Sequence, residues 1–369
     1  MHKALYIGLM TGTSLDAADV AIINFHNKTP KIVAAKNYPI PTELKAQIKQ
    51  LCLPGHNEID LMGEVSVQLG QLYANAVTSL LAEQQISAHH IKAIGSHGQT
   101  IRHRPDARYP FTLQIGDPNI ISAQTGITTV ADFRRKDMAL GGQGAPLTPA
   151  FHDALLKDRS ESQWVLNIGG IANLSYLSKN KNAPILGFDT GPGNTLMDQW
   201  YQQHHDGAFD QNGEWAASGT ASQPLLDALK SEPYFKRAAP KSTGRELFNL
   251  IWLEQKLAAC PHLSNQNVQA TLLELTATSI ATAVQTQKDA KTVWLCGGGT
   301  HNQALVARLK QLLSGLKIED TSALGIHPDW IEAAAFAWLA KQALDGQAGN
   351  IPSVTGADKS AILGIICPP

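Results

Sequence analysis

The 369-residue chain has almost no net charge, because 30 Lys and Arg stand against 31 Asp and Glu for a formal balance of -1. No run of basic residues interrupts that balance, so the field that draws a protein onto nucleic acid or an anionic membrane is missing. Neither is expected as a partner, and any anion is bound locally. Cysteine is scarce too: Cys52, Cys260, Cys296 and Cys367 are far apart and form no CxxC pair. That excludes a zinc knuckle and a disulfide framework, and leaves reduced, mostly buried thiols. No uninterrupted apolar run reaches the length of a membrane span, and MHKALYIGLMTGTS meets glycine and polar residues too soon for a signal peptide. A soluble, cytoplasmic protein is the expectation. Three common catalytic signatures are also missing: there is no Gly-Lys pair and hence no P-loop, no HExxH, and no GxSxG. GPGNTL at 191–196 lacks the third glycine of a dinucleotide fingerprint.

What is present is enough apolar material for more than one core, at 43% of the residues. It is arranged as a weak internal repeat. KALYIGLM, the turn TGTSLDAAD and VAIINF read as a β-hairpin, and so do the halves of WVLNIGGIANLSYL at 164–177. A helical pattern, LMGEVSVQLGQLYANAVTSLLAEQQ, then precedes the strand and glycine loop IKAIGSHGQT, just as TLLELTATSIATAVQTQ precedes TVWLCGGGTHNQ. Strands alternating with helices predict an α/β fold of two related lobes facing a cleft. The expected boundaries are 1–150 for the first lobe and 151–326 for the second. Residues 327–369, opening with the Pro-led, Ala-rich helix of HPDWIEAAAFAWLAKQAL, are expected to return to the first. The polar, Gly-rich segment 204–223 reads as an excursion loop.

Three glycine turns sit at strand ends: MTGTSLD (10–16), DTGPGNT (189–195) and CGGGTHN (296–302). Turns with few side chains expose successive N–H groups to phosphate oxygens, and their joint occurrence in a duplicated chain points to a nucleotide. In GFDTGPGNTLM, Asp189 stands at the end of an apolar run directly before a stretch that has lost its side chains. It either faces a ligand that comes close to the backbone or caps the helix beginning near Asn194.

The motifs MTGTSLDAADVAI, SHGQTIRH, DFRRKDMALGGQGAPL, NIGGIANLSYL, GFDTGPGNTLMD and LCGGGTHN follow one another along essentially the whole chain, to the closing ILGIICPP. In that order they resemble the anhydro-N-acetylmuramic acid kinase family, within the superfamily of actin, hexokinase and acetate kinase ATPases. The resemblance implies a two-lobed actin/hexokinase-like ATPase fold with duplicated mixed-sheet domains around a central cleft, and a cytoplasmic homodimer. It implies ATP and Mg2+ as cofactors. The implied reaction opens 1,6-anhydro-N-acetylmuramic acid with water and phosphorylates it to N-acetylmuramic acid 6-phosphate, a step of peptidoglycan recycling. Asp189 would be the general base on the water, and Glu332 would help to hold that water, although a Glu in a first helical turn is also stabilised by the dipole alone.

For ATP, the resemblance carries over Gly12, Thr13, Ser14, Leu15, Asp16, Ala17, Ala18 and Asp19 as one segment. Asn167, Gly169, Gly170 and Asn173 match the second hairpin; Gly191, Gly193 and Asn194 match the following turn; Gly297, Gly298 and Gly299 match the adenosine loop. Asp16 suits either a magnesium-bound water or a cap of its own turn. His97 and Gln99 are placed on the sugar, and one of Arg134 and Arg135 on its lactyl carboxylate. Ala17 stands where relatives often carry glycine, which matters only if that position needs a positive φ. Two rival readings share the fold: an ordinary sugar or acetate kinase, and an ATP-binding assembly protein that makes no phosphorylated product.

Overall fold

The computed structural model describes residues 5–12, 15–26, 29–239, 241–260 and 262–369. The chain divides into two compact units, one of Met1–Lys157, Leu324–Ile326 and Trp330–Pro369, the other of Asp158–Ala323 and His327–Asp329.

In the first unit, β1 (Leu5–Thr11), β2 (Ala17–Asn24) and β3 (Lys31–Pro39) form an antiparallel meander. β4 (Ile91–Ser96) joins β1 in parallel; after a separate hairpin of β5 (Gln99–Arg104) and β6 (Phe111–Ile115), β7 (Thr129–Ala131) joins β4 in parallel. The order is β3-β2-β1-β4-β7, closed by the antiparallel C-terminal strand Ile365–Cys367. In the second unit, β8 (Ser162–Ile168), β9 (Ile171–Leu177) and β10 (Leu186–Pro192) form the meander, and β11 (Ala290–Cys296) and β12 (Lys317–Asp320) add in parallel beside β8. Its order, β10-β9-β8-β11-β12, repeats that of the first five strands. The duplication read from the hairpins is therefore a duplication of topology, and the expected pair of mixed α/β sheets is the one adopted.

The sequence makes these layers for identifiable reasons. All seven residues of β1 are buried, as a central strand covered on both faces requires. Leu5, Ile7 and Leu9 share one core with Leu69, Tyr73, Val77 and Leu80 of the helix Glu58–Glu83, whose apolar residues recur at helical spacing. The Ala-rich helix Ile331–Leu344 packs on β1 and β4 so closely that a Cβ on Gly8 would lie 1.7 Å from Ala333 O, and one on Gly95 would lie 2.0 Å from Phe336 O. Bare strand positions and alanines on the helix meet because backbone rests on backbone. In the second unit Trp164, Leu166 and Ile168 form a core with Leu272, Leu275 and Ile280 of the helix Asn265–Val284.

Segment 204–223 corrects the expectation of an excursion loop. Asp210 is buried, and its carboxylate accepts Trp215 N and Ala216 N, each at 2.9 Å, at the start of the helix Glu214–Ser218. Ala216 thereby enters the second core. Among the described residues no helix is long and apolar enough to cross a membrane.

The packing sets up opposite outcomes for two glycines. Gly8→Ala should destabilise by about 3 kcal/mol, because backbone must move to admit the methyl. Gly63→Ala, in the helix Glu58–Glu83 with nothing within 4 Å of the new Cβ, should stabilise by about 0.5–1 kcal/mol. Urea unfolding of both variants checks the pair, and equal midpoints would contradict the packing described.

Candidate active site

β8, β9 and β10 pair so that Asp189 lies opposite Asn173, and Asn173 opposite Asn167. Residues directly opposite in adjacent strands point to the same face, so three polar side chains form a row about 10 Å long across the sheet. Asp189 is fixed in that row by a distant segment. Its N–H donates to Lys241 O at 3.0 Å, its carbonyl accepts the Tyr234 hydroxyl at 2.8 Å, and its Oδ2 accepts Thr243 N–H at 2.9 Å. It is not a helix cap: the helix Thr195–His204 has Asn194 at its N-cap position and no side-chain capping bond.

The bare stretch behind Asp189 has a packing reason. Gly193 N and Thr195 N donate to Gly170 O at 2.9 and 3.1 Å, and Asn194 N donates to Gly169 O at 2.8 Å. A Cβ on Gly193 would lie 2.3 Å from Gly169 O, and Gly191 has φ +144° with Phe235 against it. Gly193 and Asn194 thus direct their N–H groups to the carbonyls of the β8–β9 hairpin.

The next loop sorts its glycines differently. Gly297 (φ +82°) donates its N–H to Pro328 O at 3.1 Å, and its Cβ would strike Asn167 Oδ1 at 2.2 Å. Gly299 would strike Ile168 at 2.2 Å, whereas Gly298 has nothing within 4 Å. Gly297 and Gly299 let the loop settle on the end of β8, and Gly298 faces open space.

In the first unit, Leu15 takes the left-handed conformation (φ 59°), donates its N–H to Gly12 O at 3.2 Å and buries its side chain. Thr13 and Ser14 lie outside the described residues. The positive φ falls on Leu15 and not on Ala17, which starts β2, so alanine there is unstrained. Asp16 is mostly exposed and pairs with Lys45 Nζ at 2.5 Å; Asp19 accepts Asn37 Nδ2 at 2.6 Å, while Ala18 is buried in the sheet.

The carboxyl ends of β4 and β7 open on a cavity of about 500 Å³ lined in part by Ser96, His97, Gln114, Asn119, Asp132 and Arg135. The ends of parallel strands are where open α/β sheets hold ligands. Ser96 Oγ, at the cavity, and Gln99 Oε1, at the start of β5, are buried without a hydrogen-bond partner among the described residues. The two arginines are separated in role. Arg134 turns inward, donating from Nη2 and Nε to His97 Nε2 at 2.9 and 3.2 Å and from Nη1 to Gly144 O at 2.9 Å. Arg135 lines the cavity, tied to Asp132 at 2.5 Å. Asp132 itself has φ 57°, a strained value for a non-glycine residue.

A family model described as anhydro-N-acetylmuramic acid kinase matches residues 4–369. Proteins of that name from Coxiella burnetii (strain Dugway 5J108-111) and Shewanella oneidensis are 54% and 51% identical over 367 and 364 residues, covering 99% of this chain and 98% of each relative. The chain belongs to the anhydro-N-acetylmuramic acid kinase family. Among solved structures, component A of (R)-2-hydroxyglutaryl-CoA dehydratase from Acidaminococcus fermentans aligns over 90% of this chain and 96% of its own at 11% identity, with a TM-score of 0.49.

For a member of the anhydro-N-acetylmuramic acid kinase family, the structure adds residues that sequence reading missed. Tyr234, Lys241 and Thr243 hold Asp189 from up to 54 positions away, with no local pattern to announce them. Asp137 is fully buried and accepts from Gly144 N at 2.8 Å and from Asn350 Nδ2 and Thr355 Oγ1 at 2.7 Å. It fixes the glycine whose carbonyl holds Arg134. Glu332 lies in the first turn of the helix Ile331–Leu344 and belongs to the first unit, Asp189 to the second.

Burial first, and then the Arg134 guanidinium, holds the His97 imidazole well below its usual pKa, against a weaker pull from the Gly98 backbone. His97 is therefore neutral, with Nε2 accepting from Arg134 and the ring proton on Nδ1. A histidine kept neutral in the fold but free to protonate when unfolded contributes stability that is complete above pH ~6.5 and lost as the pH falls below it. Acidification from pH 6.5 to 5.5 should then cost about 1 kcal/mol through His97. Urea titrations at pH 7.5, 6.5 and 5.5 check this: His97→Gln should make the acid limb shallower, with His103 and His152, which burial also holds below the usual range, keeping the remainder, and an unchanged slope would contradict it.

Proposed function

We propose that this kinase couples hydrolytic opening of 1,6-anhydro-N-acetylmuramic acid to phosphorylation by ATP, yielding N-acetylmuramic acid 6-phosphate and ADP. The observation that supports it most is the Asp189 carboxylate held by main-chain groups in a polar row whose far end, Asn167, abuts the glycine loop at 297–299. A water oxygen attacks the anomeric carbon, the bond from that carbon to O6 breaks, and O6 attacks the γ-phosphorus as the bond to the leaving ADP oxygen breaks. Asp189 takes the water's proton, because a carboxylate ionised at neutral pH and anchored through one oxygen is suited to accept it. Glu332 acts as a second acceptor for the water.

In this reading the adenosine lies against Gly298, where no protein atom competes for space, and Asn167, Gly169 and Gly170 flank its phosphates. The cavity lined by His97 and Arg135 takes the sugar, with Arg135 on the lactyl carboxylate, Arg134 positioning His97, and Gln99 following at the start of β5. Magnesium would arrive on the nucleotide phosphates. Asp16 pairs with Lys45, and no three His, Cys, Asp or Glu side chains come together as a metal site among the described residues. The same proposal includes a cytoplasmic homodimer, and a monomer by sedimentation velocity would remove that part.

Phosphoryl transfer places most of the work on positioning, so removal of the base should be severe but not total. Asp189→Asn should lower turnover by about two to four orders of magnitude while ATP binding stays within a few-fold. Mass spectrometry of the wild-type product formed in oxygen-18 water should show one heavy oxygen at the anomeric carbon; unlabelled product, or near-normal turnover of Asp189→Asn, would overturn the assignment. Gly298→Val should leave thermal stability nearly unchanged and raise the KM for ATP at least tenfold. An unaffected KM would move the adenosine elsewhere.

A further inference from the structure

The segment that fixes Asp189 also brings cations to it. Lys241 is half-buried; its ammonium lies 4.8 Å from the centre of the Tyr234 ring and donates a long 3.4 Å bond to Tyr234 O. Arg237 lies 6.0 Å from the same ring. Tyr234 is itself buried and bonded through its hydroxyl to Asp189 O, and the Lys241 carbonyl takes Asp189 N–H. Both cations are therefore mounted on the residue that holds the candidate base.

This is more than a surface lysine resting on an aromatic ring. The ammonium has given up part of its hydration, and the charges acting on it are Asp189, which favours the cation, and Arg237, which opposes it; loss of water outweighs the attraction of Asp189. A partly dehydrated ammonium is costly unless an anion compensates it. Of the nearby carboxylates, Asp189 acts on Lys241 and is already engaged by Thr243 N–H, while Glu246 acts on the Tyr234 phenol, so the Lys241 ammonium is left under-neutralised. Catalytic sites for phosphoryl transfer use such cations where negative charge collects.

We propose that Lys241, supported by Arg237, is an oxyanion-binding residue of the active site that holds a substrate oxyanion beside Asp189. The ligand chemistry is a phosphoryl or carboxylate oxygen, supplied by the terminal phosphate of the nucleotide or by the acid group of the sugar. The inference rests on Asp189 marking the reaction centre, and its test reads binding, which does not depend on turnover.

Calorimetric titrations of the full chain would compare wild type with Lys241→Met, which keeps the stem and removes the charge, and with Lys241→Arg, which restores it. If the phosphoryl group is the ligand, Lys241→Met should weaken a non-hydrolysable ATP analogue 10- to 100-fold and ADP less than threefold. If the carboxylate is the ligand, the variant should weaken the anhydro sugar 10- to 100-fold and its methyl ester not at all. In either case Lys241→Arg should recover most of the loss, and thermal denaturation should show Lys241→Met to be folded. Folded Lys241→Met binding the analogue and the sugar within twofold of wild type overturns the proposal. Full activity of Asp189→Asn would instead remove the base assignment and leave these affinities interpretable.

Discussion

The carbonyls of Gly169 and Gly170 are the constraint on which the second unit's site depends. They turn the β8–β9 hairpin and at the same time receive the N–H groups of Gly193, Asn194 and Thr195. Those bonds hold the exit of β10 against the hairpin, and with it the register that sets Asp189 opposite Asn173. Buried backbone donors must find acceptors, and here the partners come from the neighbouring turn. That contact is possible only with no side chain at 193, where a Cβ would lie 2.3 Å from Gly169 O. The bare position at 193 makes room for the neighbouring turn.

The polar groups follow from this frame. Asp189 is held at three atoms by Lys241, Tyr234 and Thr243, and two of those bonds go to its own main chain. Its main-chain position is therefore fixed independently of its carboxylate. Tyr234 is buried, and burial followed by the nearby Asp189 pushes its phenol far above the usual range, so it stays a neutral donor throughout the physiological range. In the first unit Asp137 serves the same purpose at longer range: it fixes Gly144, Gly144 O fixes Arg134, and Arg134 fixes the ring of His97.

Much of this was legible in the chain because it is local. Hairpins around glycine turns, helices with apolar residues at 3.6 spacing, and the repeat of both come from neighbouring residues, and each became the expected element. Asp189 stood out because it ends an apolar run of the sequence. What escaped was carried by distance in sequence: Lys241 and Thr243 meet Asp189 from more than 50 residues away, and Asn350 and Thr355 meet Asp137 from more than 200. Segment 204–223 misled for a related reason. Its glycines and polar residues have the composition of a loop, but one buried carboxylate, Asp210, caps a short helix and draws it into the core.

Glycine is the residue whose reading changed most, and the change has a general cause. Composition reports only that a side chain is missing, and three different neighbours can require that. At Gly8 and Gly95 the neighbour is a helix backbone, at Gly193 and Gly297 a hairpin carbonyl and the Asn167 amide, and at Gly298 no protein atom at all. In the first two groups a methyl would collide with the fold, so loss of activity on substitution would report instability and say nothing about ligand. Of these five positions, only Gly298 can take a larger side chain without disturbing its surroundings. The one position in the CGGGTHN motif whose glycine packing does not explain is therefore the one that can report on a bound nucleoside.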